Sequence, residues 1–195
     1  MYAVDFDKLS LFSGLYFASF FEIAEIVADL IGMKGCDINQ MACDGNTPLM
    51  WAARNEHEGL VKILVGRGGI NPDKSDKSGR TPLHRAAGNG HEEMVEILLR
   101  QDGVNPHKPN TFGQTLLHLA AENGHGEVVK TLLGREDVDL DEPDMLGGTP
   151  LFYATENGHE GMVALIQPPE PIAPAQPKAS CYRPLYYTPL PNLLP

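Results

Sequence analysis

The strongest constraint on this chain is an internal repeat of 34 residues. Four similar segments, TPLMWAARNEH, TPLHRAAGNGH, TLLHLAAENGH and TPLFYATENGH, begin at Thr47, Thr81, Thr115 and Thr149. A glycine stands two residues before each threonine, and a valine follows each at the same distance, as Val61, Val95, Val129 and Val163. A period of this size indicates an array in which one supersecondary unit is stacked on copies of itself.

The third copy shows what one unit should fold into. Thr81 is a good N-cap, and Pro82 suits the first helical position, where its missing N–H costs nothing. Gly90 can adopt a left-handed conformation and so end this short helix. Residues 92–99 carry apolar side chains at i, i+3 and i+4 spacing and predict a second helix. Residues 105–114 are rich in Gly, Pro and Asn and predict a turn-forming loop.

A helix, a tight turn, a second helix and a loop have no interior of their own. Their apolar face is buried only by the next unit, so stability is close to a sum of nearest-neighbour interfaces. The same phase reaches back to Ser13, where Leu15 and Ala18 match Leu49 and Ala52. We therefore predict an all-α solenoid of five units with β-turn loops, over residues 13–46, 47–80, 81–114, 115–148 and 149–167.

The segment from Thr81 to Leu99, TPLHRAAGNGHEEMVEILL, resembles the ankyrin repeat, whose hallmark is T-P-L-H-x-A. The resemblance covers about residues 13–167 and four of the five copies carry it well. The GINP and GVNP loops with a 34-residue period are also similar to arrays in large fungal multidomain ankyrin proteins. This family resemblance implies a stack of helical pairs that binds partners along a concave surface.

Three departures from the repeat carry expectations. Glu56 stands where the other copies have Gly90, Gly124 and Gly158, so we expect strain there and a gain in stability from Glu56→Gly. Leu116 replaces the proline that follows the threonine, so the fourth unit lacks a pre-set first turn. The first unit has FEI at residues 21–23, where the corresponding three residues of the other units end in a histidine. Terminal repeats are often atypical in this way.

Charge excludes some partner classes. The net charge is −11, with 15 Lys and Arg against 26 Asp and Glu. A strongly acidic array is a poor match for a phosphate backbone, which needs clustered Lys and Arg, and for an anionic membrane surface. We therefore expect neither nucleic acid nor membrane as a partner. We also expect the chain to be a monomer and to bind no small-molecule substrate.

The cysteines and the N-terminal segment favour an intracellular protein, cytoplasmic or nuclear. Cys36, Cys43 and Cys181 are odd in number and scattered, which does not indicate a disulfide framework. The segment LSLFSGLYFASFF follows Asp5 and Asp7, so it lacks the positive n-region of a signal peptide, and it is too short to span a bilayer.

Both ends of the chain differ from the array. Residues 1–12 form a lead segment, and aromatic side chains are dense where the first unit begins, at Phe12, Tyr16, Phe17, Phe20 and Phe21. They either pack on the second unit or contact an upstream domain of a longer protein. Residues 168–195 are rich in proline, which predicts a disordered tail with P-x-x-P spacings that aromatic-lined grooves could bind.

The repeat itself accounts for most residues that would suggest chemistry. Six of the seven histidines recur at fixed phase: His57, His91, His125 and His159 after the turn, and His84 and His118 within TPLH-type segments. Turn histidines one unit apart do not converge on one ion, so we expect the turn histidines to bond backbone groups that link units, and we predict no metal site. No phosphate loop or catalytic motif is present, and we predict no cofactor and no enzymatic activity.

In a stacked array the loop tips and the adjacent faces of the first helices line up into a concave strip. The resemblance implies that a partner binds there, through side chains that vary between copies. These are Asp44, Asn46, Trp51, Arg54, Lys77, Arg80, Arg85, Phe112, Gln114, Glu122, Met145, Leu146, Tyr153 and Glu156.

Two groups within this set are distinctive. Phe112, Met145 and Leu146 are apolar at loop tips, and Lys77, Arg80 and Arg85 form a basic group on an acidic protein. The sequence thus predicts a non-catalytic module that binds a protein or peptide. The alternative is a regulatory or sensing arm of a larger signalling NTPase-type protein, of which this chain is a fragment or shortened relative.

Overall fold

The computed structural model describes residues 14, 15, 17–19, 23–135 and 138–167, and these residues form a stack of helical pairs. Residues 14, 15 and 17–19 are helical and are followed by α1 (Ala24–Gly32). The pairs that follow are α2 (Pro48–Arg54) with α3 (Glu58–Val65), α4 (Pro82–Asn89) with α5 (Glu92–Leu99), α6 (Leu116–Asn123) with α7 (Gly126–Leu133), and α8 (Pro150–Glu156) with α9 (Glu160–Ile166).

The helices pack in two layers. The first helix of each pair contacts the first helix of the next, and the second helices pack on one another in the same order. Small residues allow the helices of the first layer to approach closely, because alanines at these positions are fully buried: Ala52, Ala53, Ala86, Ala87, Ala120, Ala121 and Ala154. In the second layer Val61, Val95 and Val129 are fully buried, and Val163 packs partly buried against the same core. The all-α repeat array that the sequence predicted is confirmed.

The helix starts follow the TPLH segments. Thr81 Oγ1 accepts the N–H of His84, and His84 Nδ1 accepts the N–H of Thr81, which is a reciprocal capping box. The fourth unit keeps this cap although Leu116 replaces proline, and α6 still begins at Leu116. The pre-set φ of proline is therefore not needed where the capping box and the burial of Leu116 hold the first turn.

The first unit has the same backbone register where it is described. Ile23 N–H donates to Ala18 O at 2.9 Å, and His57, His91, His125 and His159 N–H make the equivalent bond to Ala52, Ala86, Ala120 and Ala154. Leu15 and Ala18 are buried like their counterparts in the next unit. The division into five units and its boundaries stay predictions. The lead segment 1–12 and the proline-rich segment 168–195 lie outside the described residues.

Within the described part of the chain, no helix has the length and apolar character needed to cross a membrane.

The turn between the paired helices is left-handed in every complete pair. Gly90, Gly124 and Gly158 have φ of 81°, 76° and 72°, and Glu56 has φ of 61° at the same phase. The glycines also leave room for a neighbour, since a Cβ on Gly90 would lie 2.5 Å from His125 Nδ1. At Glu56 the neighbouring ring accommodates a Cβ, and the Glu56 carboxylate lies 3.5 Å from His91 Nδ1.

We expect Glu56→Gly to raise the unfolding free energy by about 0.5–1 kcal/mol. Relief of the left-handed strain is worth about 1–2 kcal/mol, and the gain is reduced by the extra entropy that glycine gives the unfolded chain. The half-exposed contact with His91 offsets little of it. Urea denaturation measures the change. Gly90→Ala is the matched control and should lower the midpoint, because its Cβ meets His125. A lower midpoint for Glu56→Gly would contradict the expectation.

Candidate functional site

The loop tips lie side by side along one edge of the stack. They comprise residues 42–46, 76–80, 110–114 and 144–148, and in each the first residue's N–H donates to the carbonyl of the fifth, as Asp76 does to Arg80 at 2.8 Å. Bonds between tips join the last three, because Thr111 N–H donates to Ser78 O and Met145 N–H donates to Phe112 O, both at 3.0 Å. We call these tips and the adjacent faces of α2, α4, α6 and α8 the candidate strip.

The first side chain of each tip determines how the turn is held. Asp76, Asn110 and Asp144 each use Oδ1 to accept two backbone N–H groups, from the third and fifth residues of their turn. The tip 42–46 has Ala42 at this position, and Asp44 Oδ1 accepts the N–H of Asn46 instead. The side chains of Asp76, Asn110 and Asp144 are all buried, so their tips are rigid supports for the exposed side chains that they carry.

A residue on the first helix, nine positions after the start of the tip, holds the remaining carboxylate oxygen. Arg85 Nη2 donates to Asp76 Oδ2, and the Tyr153 hydroxyl donates to Asp144 Oδ2, each at 2.6 Å. Where the tip residue is Asn110, its amide donates to Gln114 Oε1 and the helix position is the buried Leu119. Arg85 and Tyr153 are among the residues predicted to contact a partner, and the structure shows that their end groups hold the tips in place.

The pKa values record this bracing. Burial alone would raise the pKa of Asp144, but hydrogen bonds from Tyr153, Gly148 and Leu146 lower it. The bond to the Asp144 carboxylate raises the pKa of Tyr153. Burial lowers the pKa of the Arg85 guanidinium, opposed by the Asp76 charge and reinforced by the positive charges of Arg80 and Arg54. Asp144 is thus held as a carboxylate, and three guanidinium groups share one region of the strip.

The predicted partner residues divide into exposed and structural positions. Asn46 is only 5 % exposed and its side-chain amide donates to Asp44, so Asn46 supports the tip 42–46 and offers no side chain to a partner. Lys77 Nζ donates to Cys43 O at 2.9 Å, which joins the tip 76–80 to the tip 42–46. The exposed positions are Asp44, Arg54, Lys77, Phe112, Glu122, Met145, Leu146 and Glu156, and the partly exposed ones are Trp51, Arg80, Arg85, Gln114 and Tyr153.

The apolar tip residues face solvent. Phe112, Met145 and Leu146 are 56 %, 76 % and 89 % exposed, and the bond from Met145 N–H to Phe112 O places them on neighbouring tips. The sequence left open whether they pack on their own loops, and the structure shows that most of each side chain does not. We call these three residues the apolar tip patch. Clustered apolar side chains with little cover are typical of interaction sites.

The candidate strip also contains an open polar pocket of about 320 Å³ lined by Arg54, Arg80 and Arg85. Arg54 also lies over the Trp51 ring, 5.4 Å from its centroid. Glu122, on α6, also lines this pocket. Arg54 therefore belongs to the basic group that the sequence assigned to Lys77, Arg80 and Arg85, whereas the ammonium of Lys77 is already bonded to a carbonyl.

The recurring histidines join neighbouring units. Nε2 of His91, His125 and His159 lies 2.8–3.1 Å from the carbonyls of Arg54, Gly88 and Glu122 in the preceding unit. Carbonyl oxygens only accept, so Nε2 carries the proton and donates. The expectation that these histidines bond backbone groups between units is confirmed. Within the described ranges, no group of three or more His, Cys, Asp or Glu side chains could hold a metal ion.

His84 lies beneath the strip and is almost fully buried, at 1 % exposure. Burial lowers its pKa to about 4. Protonation would also disrupt the capping box, because Nδ1 accepts the Thr81 N–H. His84 is therefore neutral near pH 7, and its role in this structure is to hold the start of α4.

Comparison with known proteins agrees with the geometry. A family model described as ankyrin repeats (3 copies) matches residues 15–110 and 102–172. A search of curated proteins found no match to the chain. The narrower likeness to fungal multidomain arrays stays a prediction.

We expect Tyr153→Phe to lower the unfolding free energy by about 1–2 kcal/mol, because it removes a hydrogen bond to a buried carboxylate. Asp144→Asn provides the control background, since Asn110 shows that an amide can hold the same turn. The loss from Tyr153→Phe should be smaller there, where the charge assistance is gone. Urea denaturation of the two single variants and the double variant measures the coupling. Equal losses in both backgrounds would contradict a charge-assisted bond.

We expect acid to destabilise the chain through His84. Its pKa is about 6.5 unfolded and about 4 folded, so the unfolded state binds more protons between these values and stability falls as pH drops. The loss between pH 7.5 and pH 5 should be about 2 kcal/mol. His84→Met is the matched variant, because Met50 occupies this position in the second unit and its Sδ accepts the Thr47 N–H. Urea midpoints at both pH values test this. Parallel losses in both proteins would refute it.

Proposed function

Since the chain belongs to the ankyrin-repeat family, whose members generally mediate protein–protein interactions, we propose that it is a non-catalytic module that docks a protein or peptide along the candidate strip. The proposal places the protein inside the cell, in the cytoplasm or nucleus. It assigns no cofactor, nucleic acid, membrane or small-molecule substrate, and treats the chain as a monomer.

The exposure of the apolar tip patch carries the proposal. Phe112, Met145 and Leu146 are displayed on tips whose backbones are fixed by buried Asn110 and Asp144. A rigid base reduces the entropy lost when a partner binds. Bulky apolar side chains that meet a partner on a rigid surface are typical binding hot spots.

A second candidate function uses a different surface. Ile23, Ile26 and Met33 of the first unit are 41 %, 45 % and 50 % exposed, whereas Leu60, which matches Ile26 in the next unit, is fully buried. This exposed apolar face favours the hypothesis of a regulatory or sensing arm in a larger signalling NTPase-type protein, in which a further folded region would contact the first unit.

One selection experiment separates the two candidates. A displayed library of random peptides is enriched on the purified chain, and the enriched peptides are tested by fluorescence anisotropy. We expect Phe112→Ser combined with Leu146→Ser to weaken binding by about tenfold or more, which corresponds to the loss of a modest hot spot. Ile26→Ser is the matched control, because Ile26 is similarly exposed but lies outside the strip.

Circular dichroism and thermal melting of each variant verify that the fold is retained. Binding that is unchanged by the tip substitutions and lost with Ile26→Ser would contradict docking on the strip and favour the second candidate. The absence of any enriched peptide would contradict a peptide-binding role altogether.

A further inference from the structure

The polar pocket on the strip has an unusual charge for this molecule. The whole chain carries a net charge of −11, yet three arginines from two neighbouring units line this one opening. Asp76 is bonded to Arg85, and Glu122 lines the pocket from the fourth unit. Three positive and two negative groups leave the opening with a net charge of about +1, which suits a single negative charge from outside.

The arginine side chains retain capacity to donate hydrogen bonds. Arg54 and Arg80 have no ion-pair partner among the described residues, and Arg85 has only Asp76. The Nε atoms of Arg80 and Arg85 are buried without a hydrogen-bond partner in the part of the chain that the structure describes. Buried donors of this kind are normally satisfied, so these two show that the arginines have hydrogen-bonding capacity that the described residues leave unused.

We infer that this pocket receives an aspartate or glutamate side chain of the docked segment, while a bulky apolar side chain of the same segment lies on the apolar tip patch. This inference rests on the proposed function and names the chemistry of the partner. The partner is thus a segment in which an acidic residue and a large apolar residue are set a fixed distance apart.

The stack sets the spacing between the two side chains. The pocket is centred on α4, and the two tips that carry the apolar tip patch directly precede α6 and α8, which lie one and two helices further along the first layer. Packed helices lie about 8–10 Å apart, and an extended chain advances about 3.3 Å per residue. An extended partner segment therefore places its acidic residue roughly three to six positions from its apolar residue.

A carboxylate fits this pocket better than a phosphate. Arginine pairs with both carboxylates and phosphates through two parallel hydrogen bonds, so the charge of the ligand decides between them. A phosphate group carries about −1.5 to −2 charges at neutral pH, and it would face the carboxylates of both Glu122 and Asp76. The nearby Glu122 therefore discriminates against the dianion.

The test repeats the peptide selection on variants that differ in one arginine. Arg54→Gln removes a pocket cation whose side chain has no ion pair, and Arg100→Gln is the charge-matched control, with a 71 % exposed side chain paired to Glu96 away from the pocket. We expect the wild type and Arg100→Gln to enrich peptides with Asp or Glu roughly three to six positions from a bulky apolar residue. Arg54→Gln should lose the acidic preference and keep the apolar one.

A single enriched peptide then gives the interaction quantitatively. We expect Arg54→Gln to weaken its binding about five- to tenfold, and Glu→Gln in the peptide to do the same, with no further loss when both are changed. Arg100→Gln should leave its binding unchanged. Added salt should weaken the wild-type complex more than the Arg54→Gln complex.

Several results would overturn the inference and leave docking on the strip intact. One is a set of enriched peptides that lack acidic residues but still lose binding with Phe112→Ser and Leu146→Ser. A second is equal affinity in the Arg54→Gln and Arg100→Gln proteins. Tighter binding when phosphoserine replaces the peptide's glutamate would show a phosphate site. Self-association of the chain that Arg54→Gln abolishes would show a second copy as the occupant.

Discussion

The joint between neighbouring units determines the rest of this structure. A single helical pair buries little by itself, and the turns of the pairs α2/α3, α4/α5 and α6/α7 are each contacted by a histidine from the next pair. The ring of His125 lies against Gly90, at a distance where a Cβ would approach Nδ1 to 2.5 Å, and its Nε2 donates to Gly88 O. Glycine is therefore favoured at this turn for two reasons: it adopts a left-handed φ without strain, and it has no Cβ to clash with this ring. Each of these histidines donates a hydrogen bond to the preceding pair, and these bonds join the units into one continuous array.

That rigidity extends to the loop tips and decides which side chains remain available. The carboxylates of Asp76 and Asp144 are each used three times, by two backbone N–H groups and by one side chain from the first helix. Residues that bond inward in this way cannot also recognise a partner with the same atoms. The candidate strip therefore contains some side chains that hold the tips in place and others that are exposed to a partner. The exposed ones are concentrated at the apolar tip patch and at the pocket lined by Arg54, Arg80 and Arg85, which we call the arginine pocket.

The sequence predicted the scaffold well because its signals are local. Thr81, Pro82 and Gly90 predicted α4, and the structure begins and ends that helix at Pro82 and Asn89. The strip was predicted less completely, because the period shows that Arg85 and Tyr153 vary but not that they contact a side chain nine residues earlier. A usable signal was present in the pairing of tip and helix residues, Asp76 with Arg85 and Asp144 with Tyr153. The exposure of Phe112 depends on side-chain direction, which repeat phase does not specify.

The charge distribution limits which partners can use such a strip. Salt screens the net charge of −11 and the arginine pocket alike, with a Debye length of roughly 8 Å at physiological salt, so an approaching segment meets general repulsion from the acidic surface and attraction only close to the pocket. The two effects favour an acidic residue within a segment whose surroundings are neutral or basic, over a uniformly acidic protein. Inside the pocket, Glu122 adds a cost to any anion that does not satisfy the arginine donors. On the proposed function, affinity would come mainly from the apolar tip patch, and the pocket would contribute specificity by fixing the register of the segment.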